Sequence, residues 1–95
     1  MRDDERIAPT YRGVAWHKGH QKWIAKLKTH GRYVTLGYYD DAVFAARIYD
    51  CATRILRGPD GVLNFDGQPP PGVTTAEIKA MLIERGIIKN NSGVS

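Results

Sequence analysis

Residues 22–28 read Lys22-Trp23-Ile24-Ala25-Lys26-Leu27-Lys28, an alternation that is typical of a β-strand. Side chains of a strand point alternately to its two faces, so Trp23, Ala25 and Leu27 share one face. The other face then carries Lys22, Ile24, Lys26 and Lys28. We expect the first face to cover a hydrophobic core and the second to be turned outward.

Two further strands are predicted beside this one. Residues 11–16 alternate in the same way, and residues 17–21 are polar residues and glycine suited to a turn. A tight reversal at residues 29–32, which contains Gly31, leads to a third strand at residues 33–38. In that strand Val34 and Leu36 are expected to face inward, and the residues expected beside the lysines are Tyr33, Thr35 and Gly37.

A helix is predicted to follow the third strand. Asp40 or Asp41 can cap its start, and Gly58-Pro59 ends it. Small and apolar residues recur between them at helical spacing: Ala45, Ala46, Tyr49, Ala52, Thr53 and Leu56. The predicted fold is therefore α+β, a three-stranded antiparallel sheet packed on one α-helix, with residues 62–65 closing one end of the core.

A second, short amphipathic helix is predicted near the C-terminus. Three consecutive prolines within residues 68–72 indicate a linker, and Thr74 with Glu77 forms a capping box ahead of Ile78, Met81, Leu82 and Ile88. The predicted organisation is a mobile tail at 1–8, a domain at 9–66, a linker at 67–73, a helical segment at 74–88 and a tail at 89–95.

Charge is segregated along the chain, which has 95 residues and a formal net charge of +4. Residues 11–39 contain no aspartate or glutamate, yet they contain all three histidines and the cations Arg12, Lys18, Lys22, Lys26, Lys28 and Arg32. Lysines on a strand can merely protect a sheet edge from aggregation. Because no carboxylate is interspersed to neutralise them, we expect a cationic sheet face that binds a polyanion, with nucleic acid as the leading candidate.

Other classes of site are not favoured. The single cysteine, Cys51, cannot form an internal disulfide or a cysteine-rich zinc site, and the histidines are not expected to bind a metal. Asp40 and Asp41 are better explained as helix-start residues than as a catalytic pair, and Asp50 is expected to form ordinary surface pairs with Arg47 and Arg54. We therefore predict no catalytic residues, no cofactor, no membrane segment and an intracellular location.

Five motifs carry a resemblance to a known family. They are Tyr11-Arg12-Gly13-Val14, Lys22-Trp23-x-Ala25, Leu36-Gly37-Tyr38-Tyr39-Asp40, Ala45-Ala46-x-x-Tyr49-Asp50 and Leu63-Asn64-Phe65. In this order and spacing, residues 9–65 resemble the DNA-binding domain of the Apetala and ethylene-response-factor family. The resemblance implies a three-stranded sheet on one helix, with the sheet docked in the major groove of double-stranded DNA.

The resemblance also implies site residues. By position, Arg12, Lys26 and Lys28 match strand contacts to DNA, Tyr33 and Thr35 occupy contact positions on strand three, and Tyr49 matches a helix residue that touches a phosphate. Together with the charge pattern, the expected DNA-binding set is Arg12, Trp16, His17, Lys18, Lys22, Ile24, Lys26, Lys28, Arg32, Tyr33, Thr35 and Tyr49. For Trp16, stacking on DNA and covering the end of the sheet are equally open.

Two departures bear on specificity. The ethylene-response branch has an arginine where this chain has Ala15 and a glutamate where it has Lys26. A GC-rich target is therefore not assumed, and lysine lacks the planar fork with which arginine recognises guanine.

The sequence thus predicts a nuclear transcription factor domain that binds double-stranded DNA. Two alternatives stay open. The chain could be the DNA-recognition part of a homing endonuclease, or a protein-interaction module that docks a partner on residues 74–88.

Overall fold

The computed structural model describes residues 11–29 and 31–88. Along the chain the elements are β1 (Val14–His17), β2 (Lys22–Thr29), β3 (Arg32–Tyr39), α1 (Ala42–Arg57), a 3₁₀ turn (Gly58–Asp60) and α2 (Thr75–Glu84). The sheet is antiparallel, with β2 between β1 and β3. The predicted α+β class is therefore confirmed, while the predicted tails at 1–8 and 89–95 lie outside the described residues.

The core lies between one face of the sheet and α1. Ala25 and Leu27 of β2 are fully buried, and Leu36 of β3 is 1% exposed. Across from them, α1 contributes Ala45 and Ala52, both fully buried. Because alanine side chains are short, the helix backbone can approach the sheet closely and the larger strand residues fill the space between the layers. Trp23 also packs against this core, as its place in the alternation predicted.

Helix α1 begins and ends where the sequence predicted. The carboxylate of Asp41 accepts a hydrogen bond from the amide of Phe44 at 2.9 Å, which satisfies a free donor of the first turn. Gly58, with φ of 60°, terminates the helix and donates its amide to the carbonyl of Arg54. The last turn is tied to the sheet, since Arg57 donates to the carbonyl of Lys28 at 2.8 Å.

Helix α2 packs back onto the rest of the fold. Its start has the predicted capping box, in which Thr74 and Glu77 satisfy each other's backbone amides. Ile78 is 1% exposed and Leu82 fully buried, and both belong to the same hydrophobic cluster as Leu27. The apolar residues that a docking surface for a partner needs are thus covered by the chain itself. Residues 74–88 share one core with the sheet, and the predicted domain boundaries stay a prediction.

A buried carboxylate organises the segment that follows α1. Asp50 is fully buried, and its Oδ1 accepts hydrogen bonds from the Asn64 amide at 2.8 Å and from Asn64 Nδ2 at 3.0 Å. Its Oδ2 accepts from the amide of Phe65 at 2.6 Å. The expected surface pairs of Asp50 with Arg47 and Arg54 are therefore wrong. Arg47 instead lies over the ring of Phe65, 4.7 Å from its centroid.

The same segment anchors the start of the sheet. Asn64 Oδ1 accepts from the amide of Arg12 at 2.6 Å, and Asn64 Nδ2 donates to the carbonyl of Arg12 at 3.0 Å. Residues 62–65 were expected to close the core through their apolar side chains, but Val62 is 57% and Phe65 38% exposed. Polar anchoring by Asp50, rather than apolar burial, holds this segment in place.

Arg12 and Gly13 lie in a turn ahead of β1, which begins at Val14 and not at the predicted residue 11. Gly13 has φ of 79°, and a Cβ atom placed on it would lie 2.1 Å from Cδ1 of Tyr49. The Tyr49 ring therefore occupies the space that a side chain at residue 13 would need. Tyr49 is only 7% exposed and belongs to the core, and its expected contact with a phosphate stays a prediction.

We predict that Gly13→Ala destabilises the fold by about 2–4 kcal/mol, since it adds both a clash with Tyr49 and a strained φ. Gly31→Ala is the matched control, because Gly31 has φ of 80° but open space around the Cβ position. It should cost only about 1 kcal/mol, from backbone strain alone. Urea unfolding of the two variants measures the difference, and equal losses would contradict the packing role of Gly13.

We also predict that Asp50→Asn destabilises the fold by about 2–4 kcal/mol. The amide group that replaces the carboxylate has one oxygen and one NH2 group, so at least one N–H donor, the amide of Phe65 in the better orientation, then faces another donor. Asp66→Asn is the control, because the Asp66 carboxylate is 66% exposed and lies 3.8 Å from Arg47. Its cost should stay below about 0.5 kcal/mol. Urea unfolding compares the two variants, and a loss at Asp50 as small as that at Asp66 would refute the anchoring role.

Candidate nucleic-acid interface

The strand register defines one cationic face of the sheet. Lys26 pairs with Thr35, and Lys28 pairs with Tyr33. Because directly paired residues project to the same side of a sheet, these four residues form one surface, which we call the lysine end of the outer face. The predicted separation of these lysines from Trp23, Ala25 and Leu27 is confirmed, since the latter three lie on the face toward α1.

Tyr33 is the centre of the lysine end. Its side chain is 64% exposed, and the Nζ atoms of Lys26 and Lys28 lie 5.4 Å and 5.8 Å from its ring centroid. These distances are those of cation–π contacts. The expectation that Tyr33 lies beside the lysines is confirmed.

The opposite end of the outer face is aromatic. His17 and His20 stack with ring centroids 4.7 Å apart, and both meet Tyr38 edge-on, at 5.2 Å and 4.4 Å. The amide of His20 donates to Nδ1 of His17 at 3.1 Å, so this nitrogen acts as the acceptor of the hydrogen bond. We call these three residues the histidine end of the outer face.

A β-bulge brings Tyr38 to this face. The register passes from Ala25↔Gly37 to Lys26↔Thr35, which leaves Leu36 without a partner on β2. Gly37 therefore pairs with Ala25 on the helix side and does not lie beside the lysines, which corrects the simple alternation expected for β3. Tyr38, paired with Ile24, turns outward instead.

Tyr39 stabilises the backbone at the bulge. Its hydroxyl donates to the carbonyl of Leu36 at 3.1 Å. Burial raises the pKa of Tyr39, while the nearby charge of Arg85 acts in the opposite direction. The hydroxyl therefore stays protonated and remains a donor to Leu36 at neutral pH.

Lys22 is engaged by a carboxylate. Its Nζ forms an ion pair and hydrogen bond with Asp40, the residue that follows β3. The expectation of a basic stretch free of carboxylates holds along the sequence but not in space, since β3 ends beside the start of β2. Both side chains are well exposed, at 41% and 85%, so the pair is weak and can be broken by a stronger anion.

Ile24 and Trp16 do not belong to the open cationic surface. Ile24 projects to the outer face between Ala15 and Tyr38, but it is only 6% exposed. Trp16 pairs with Trp23, and the two rings meet edge-on at 5.2 Å. Of the two roles left open for Trp16, the structure favours covering the end of the sheet on the helix side. The expected contacts of both residues with DNA stay a prediction.

The remaining cations lie around the edges of the face. Lys18 is exposed in the β1–β2 turn, and Arg32 is exposed at the start of β3. The side chain of Arg12 is also exposed, while its backbone is held by Asn64. Beside it is an open groove of about 530 Å³, lined by Tyr11, Arg12, Leu63 and Asn64. Sequence reasoning found Arg12 but missed that Asn64 and Asp50 fix its position.

Other kinds of site find no support within residues 11–29 and 31–88. No group of three or more histidine, cysteine or acidic side chains comes together there as a metal site would require. Cys51 is buried, and burial raises the pKa of its thiol. None of the described helices has the length and apolar character needed to span a membrane.

Comparison with curated proteins finds relatives among plant transcription factors. The chain is 42% identical over 59 residues to "Dehydration-responsive element-binding protein 1F" of Arabidopsis thaliana, which covers 60% of this chain and 28% of that protein. It is 32% identical over 80 residues to "Ethylene-responsive transcription factor ERF015" of the same plant, covering 82% of this chain and 42% of that protein.

A third relative is "APETALA2-like protein 2" of Oryza sativa subsp. indica, at 38% identity over 56 residues, 59% of this chain and 13% of that protein. No protein-family model matches the chain. The chain spans less than half the length of these three relatives, so the similarity concerns one part of each.

Proposed function

Since this chain belongs to the Apetala and ethylene-response-factor family, we propose that the outer face of its sheet binds double-stranded DNA. The binding serves transcription regulation in the nucleus, and the chain supplies recognition rather than catalysis. Its relatives support this, because one is named as an ethylene-responsive transcription factor and another as a dehydration-responsive element-binding protein.

One observation carries the proposal. Lys26 and Lys28 project together from β2, the central strand of the exposed outer face, and neither forms an ion pair within the described residues. Like charges on one small surface repel each other, and a phosphate backbone removes that repulsion while releasing its condensed counterions. Arg12, Lys18 and Arg32 extend the positive charge around this centre.

The dimensions of the sheet fit the major groove. Three strands at a spacing of about 4.8 Å place the two outer strands about 10 Å apart. The major groove of B-DNA is about 12 Å wide and admits an α-helix or a two-stranded β-ribbon, whereas the minor groove is about 6 Å wide. This agreement supports insertion of the sheet into the major groove.

The side chains suit different parts of the duplex. Lys26, Tyr33 and Thr35 lie on the outer face, where a docked sheet meets base edges, and lysine can donate to guanine O6 and N7. Lys28, near the end of β2, and the flanking Lys18 and Arg32 are placed for phosphates. Arg12 can read or brace a guanine, because its planar fork matches that base and Asn64 holds its backbone.

Lys22 has a smaller part in this proposal than its charge suggests. Its ammonium group must exchange the carboxylate of Asp40 for a phosphate before it contributes to binding. We therefore expect removal of Lys22 to weaken DNA binding less than removal of Lys28 does.

The proposal is tested by selecting bound duplexes from a random pool at stated salt and then measuring variants on the selected duplex. Lys28→Ala should weaken all duplexes alike and lower the salt slope by about 1. Arg12→Ala should cost about 1–3 kcal/mol of binding and relax preference at one base pair. Fluorescence anisotropy at several salt concentrations measures both effects.

Lys79→Ala is the matched control, because Lys79 is an exposed lysine on α2, which packs on the helix side and not on the outer face. It removes the same charge and should leave affinity nearly unchanged. If Lys28→Ala weakens binding no more than Lys79→Ala does, the outer face is not the DNA-binding surface.

A further inference from the structure

We propose that Tyr33 is a positioning residue, whose ring holds the ammonium groups of Lys26 and Lys28 in place for contact with DNA. The inference rests on the proposed function and deepens it, since it gives Tyr33 a part that is distinct from touching DNA. The ligand is a DNA duplex, whose phosphates are anionic and whose base edges carry hydrogen-bond acceptors for the two lysines.

The geometry comes from the strand pairing. Lys26 and Lys28 are two residues apart on β2 and project to the same side, while Tyr33 lies directly across from Lys28 on β3. The two Nζ atoms lie 5.4 Å and 5.8 Å from the ring centroid of Tyr33. One aromatic ring thus contacts two cations that would otherwise repel each other.

The electrostatics favour this arrangement. The face of an aromatic ring is negative, so it attracts an ammonium group. An exposed contact of this kind raises the population of lysine side chains held over the ring by about two- to fivefold. Neither lysine has a carboxylate partner within the described residues. Among the described residues, the ring is therefore the group that restrains both side chains before DNA binds.

Restraint in the free protein matters for binding. A lysine side chain has four rotatable bonds, and ordering it in a complex costs conformational entropy. A ring that already limits both lysines lowers that cost, which is the general advantage of preorganisation. The ring also holds the two ammonium groups in defined positions. Lysine thereby gains part of the directional preference that the planar guanidinium group gives to arginine.

The rival role for Tyr33 is a direct contact of its hydroxyl with a base or a phosphate. Its 64% exposure permits such a contact. The two roles depend on different atoms, because positioning needs the ring and contact needs the hydroxyl. Tyr33→Phe and Tyr33→Leu therefore separate them.

The first experiment measures the affinity of the wild-type chain and the variants for a selected duplex at fixed salt. We expect Tyr33→Phe to bind within about twofold of the wild type, and Tyr33→Leu to lose about five- to twentyfold, since two cation–π contacts of about two- to fivefold each are lost. In a Lys26→Met/Lys28→Met background, Tyr33→Leu should have no further effect. An equal loss for Phe and Leu, or an undiminished loss in that background, would overturn the proposal.

The second experiment needs no DNA. Proton and carbon NMR signals of the Lys26 and Lys28 ε positions should be shifted by the ring current of Tyr33 in the wild type and in Tyr33→Phe, and should move to the values of free lysine in Tyr33→Leu. Tyr38→Leu is the control, because Tyr38 lies on the same face against His17 and His20 and away from these lysines. Unshifted lysine signals in the wild type would refute the positioning role.

The two experiments also separate this inference from the proposed function. If lysine signals shift but the Lys26→Met/Lys28→Met variant binds DNA like the wild type, the positioning geometry stands and the DNA-binding proposal fails. If that double variant weakens binding but Tyr33→Leu does not, the proposed function stands and the positioning role fails. Tyr33 is exposed, so its variants should keep the stability of the wild type, which urea unfolding checks.

Discussion

The buried carboxylate of Asp50 is the constraint on which the arrangement of this molecule depends. A charged group removed from water is costly unless donors replace its hydration, and here three N–H groups from Asn64 and Phe65 do so. These donors come from a segment without regular structure, so the carboxylate holds in place a backbone that no helix or strand fixes. Asn64 in turn holds the backbone of Arg12 through two hydrogen bonds. A residue at the centre of α1 therefore helps to fix the backbone position of Arg12 ahead of the sheet.

The sheet separates two kinds of chemistry across a single layer. On the helix side, alanines such as Ala45 and Ala52 let α1 approach closely enough to exclude water. On the outer side, the surface is divided along its length. The lysine end presents two ammonium groups around Tyr33 that form no ion pair within the described residues, and the histidine end presents an aromatic stack around Tyr38. A ligand that spans the whole face would meet positive charge at one end and aromatic rings at the other.

Local pattern was enough to predict most of the fold. The alternation at residues 22–28 gave both faces of β2, since each strand residue reverses direction regardless of its neighbours. The limits of α1 followed from Asp41 and Gly58, and the start of α2 from Thr74 with Glu77, because caps are satisfied by residues within a few positions of each other. Tyr33 was expected beside the lysines because the alternation of strand side chains puts them on the same face of the sheet.

The errors share one physical origin, which is pairing between distant parts of the chain. The bulge at Leu36 shifts the register of β3, so Gly37 and Tyr38 exchange the faces that simple alternation assigns to them. The role of Trp16, which the sequence left open, depends on the same kind of pairing, since the register of β1 with β2 puts it on the helix side and a turn of polar residues does not specify that register. Asp50 looks like a surface residue between two arginines, and only the return of residues 64–65 makes it a buried acceptor.

The sequence by itself determined the class of fold and the cationic face that carries Lys26 and Lys28, because these follow from periodicity and charge over short distances. Tertiary structure alone decided which members of that face are free to meet a ligand. It pairs Lys22 with Asp40, covers Ile24 and buries Tyr49 against Gly13. It also places Tyr33 between two lysines. The availability of a side chain depends on what lies next to it in space, and such neighbours come from residues that are far apart along the chain.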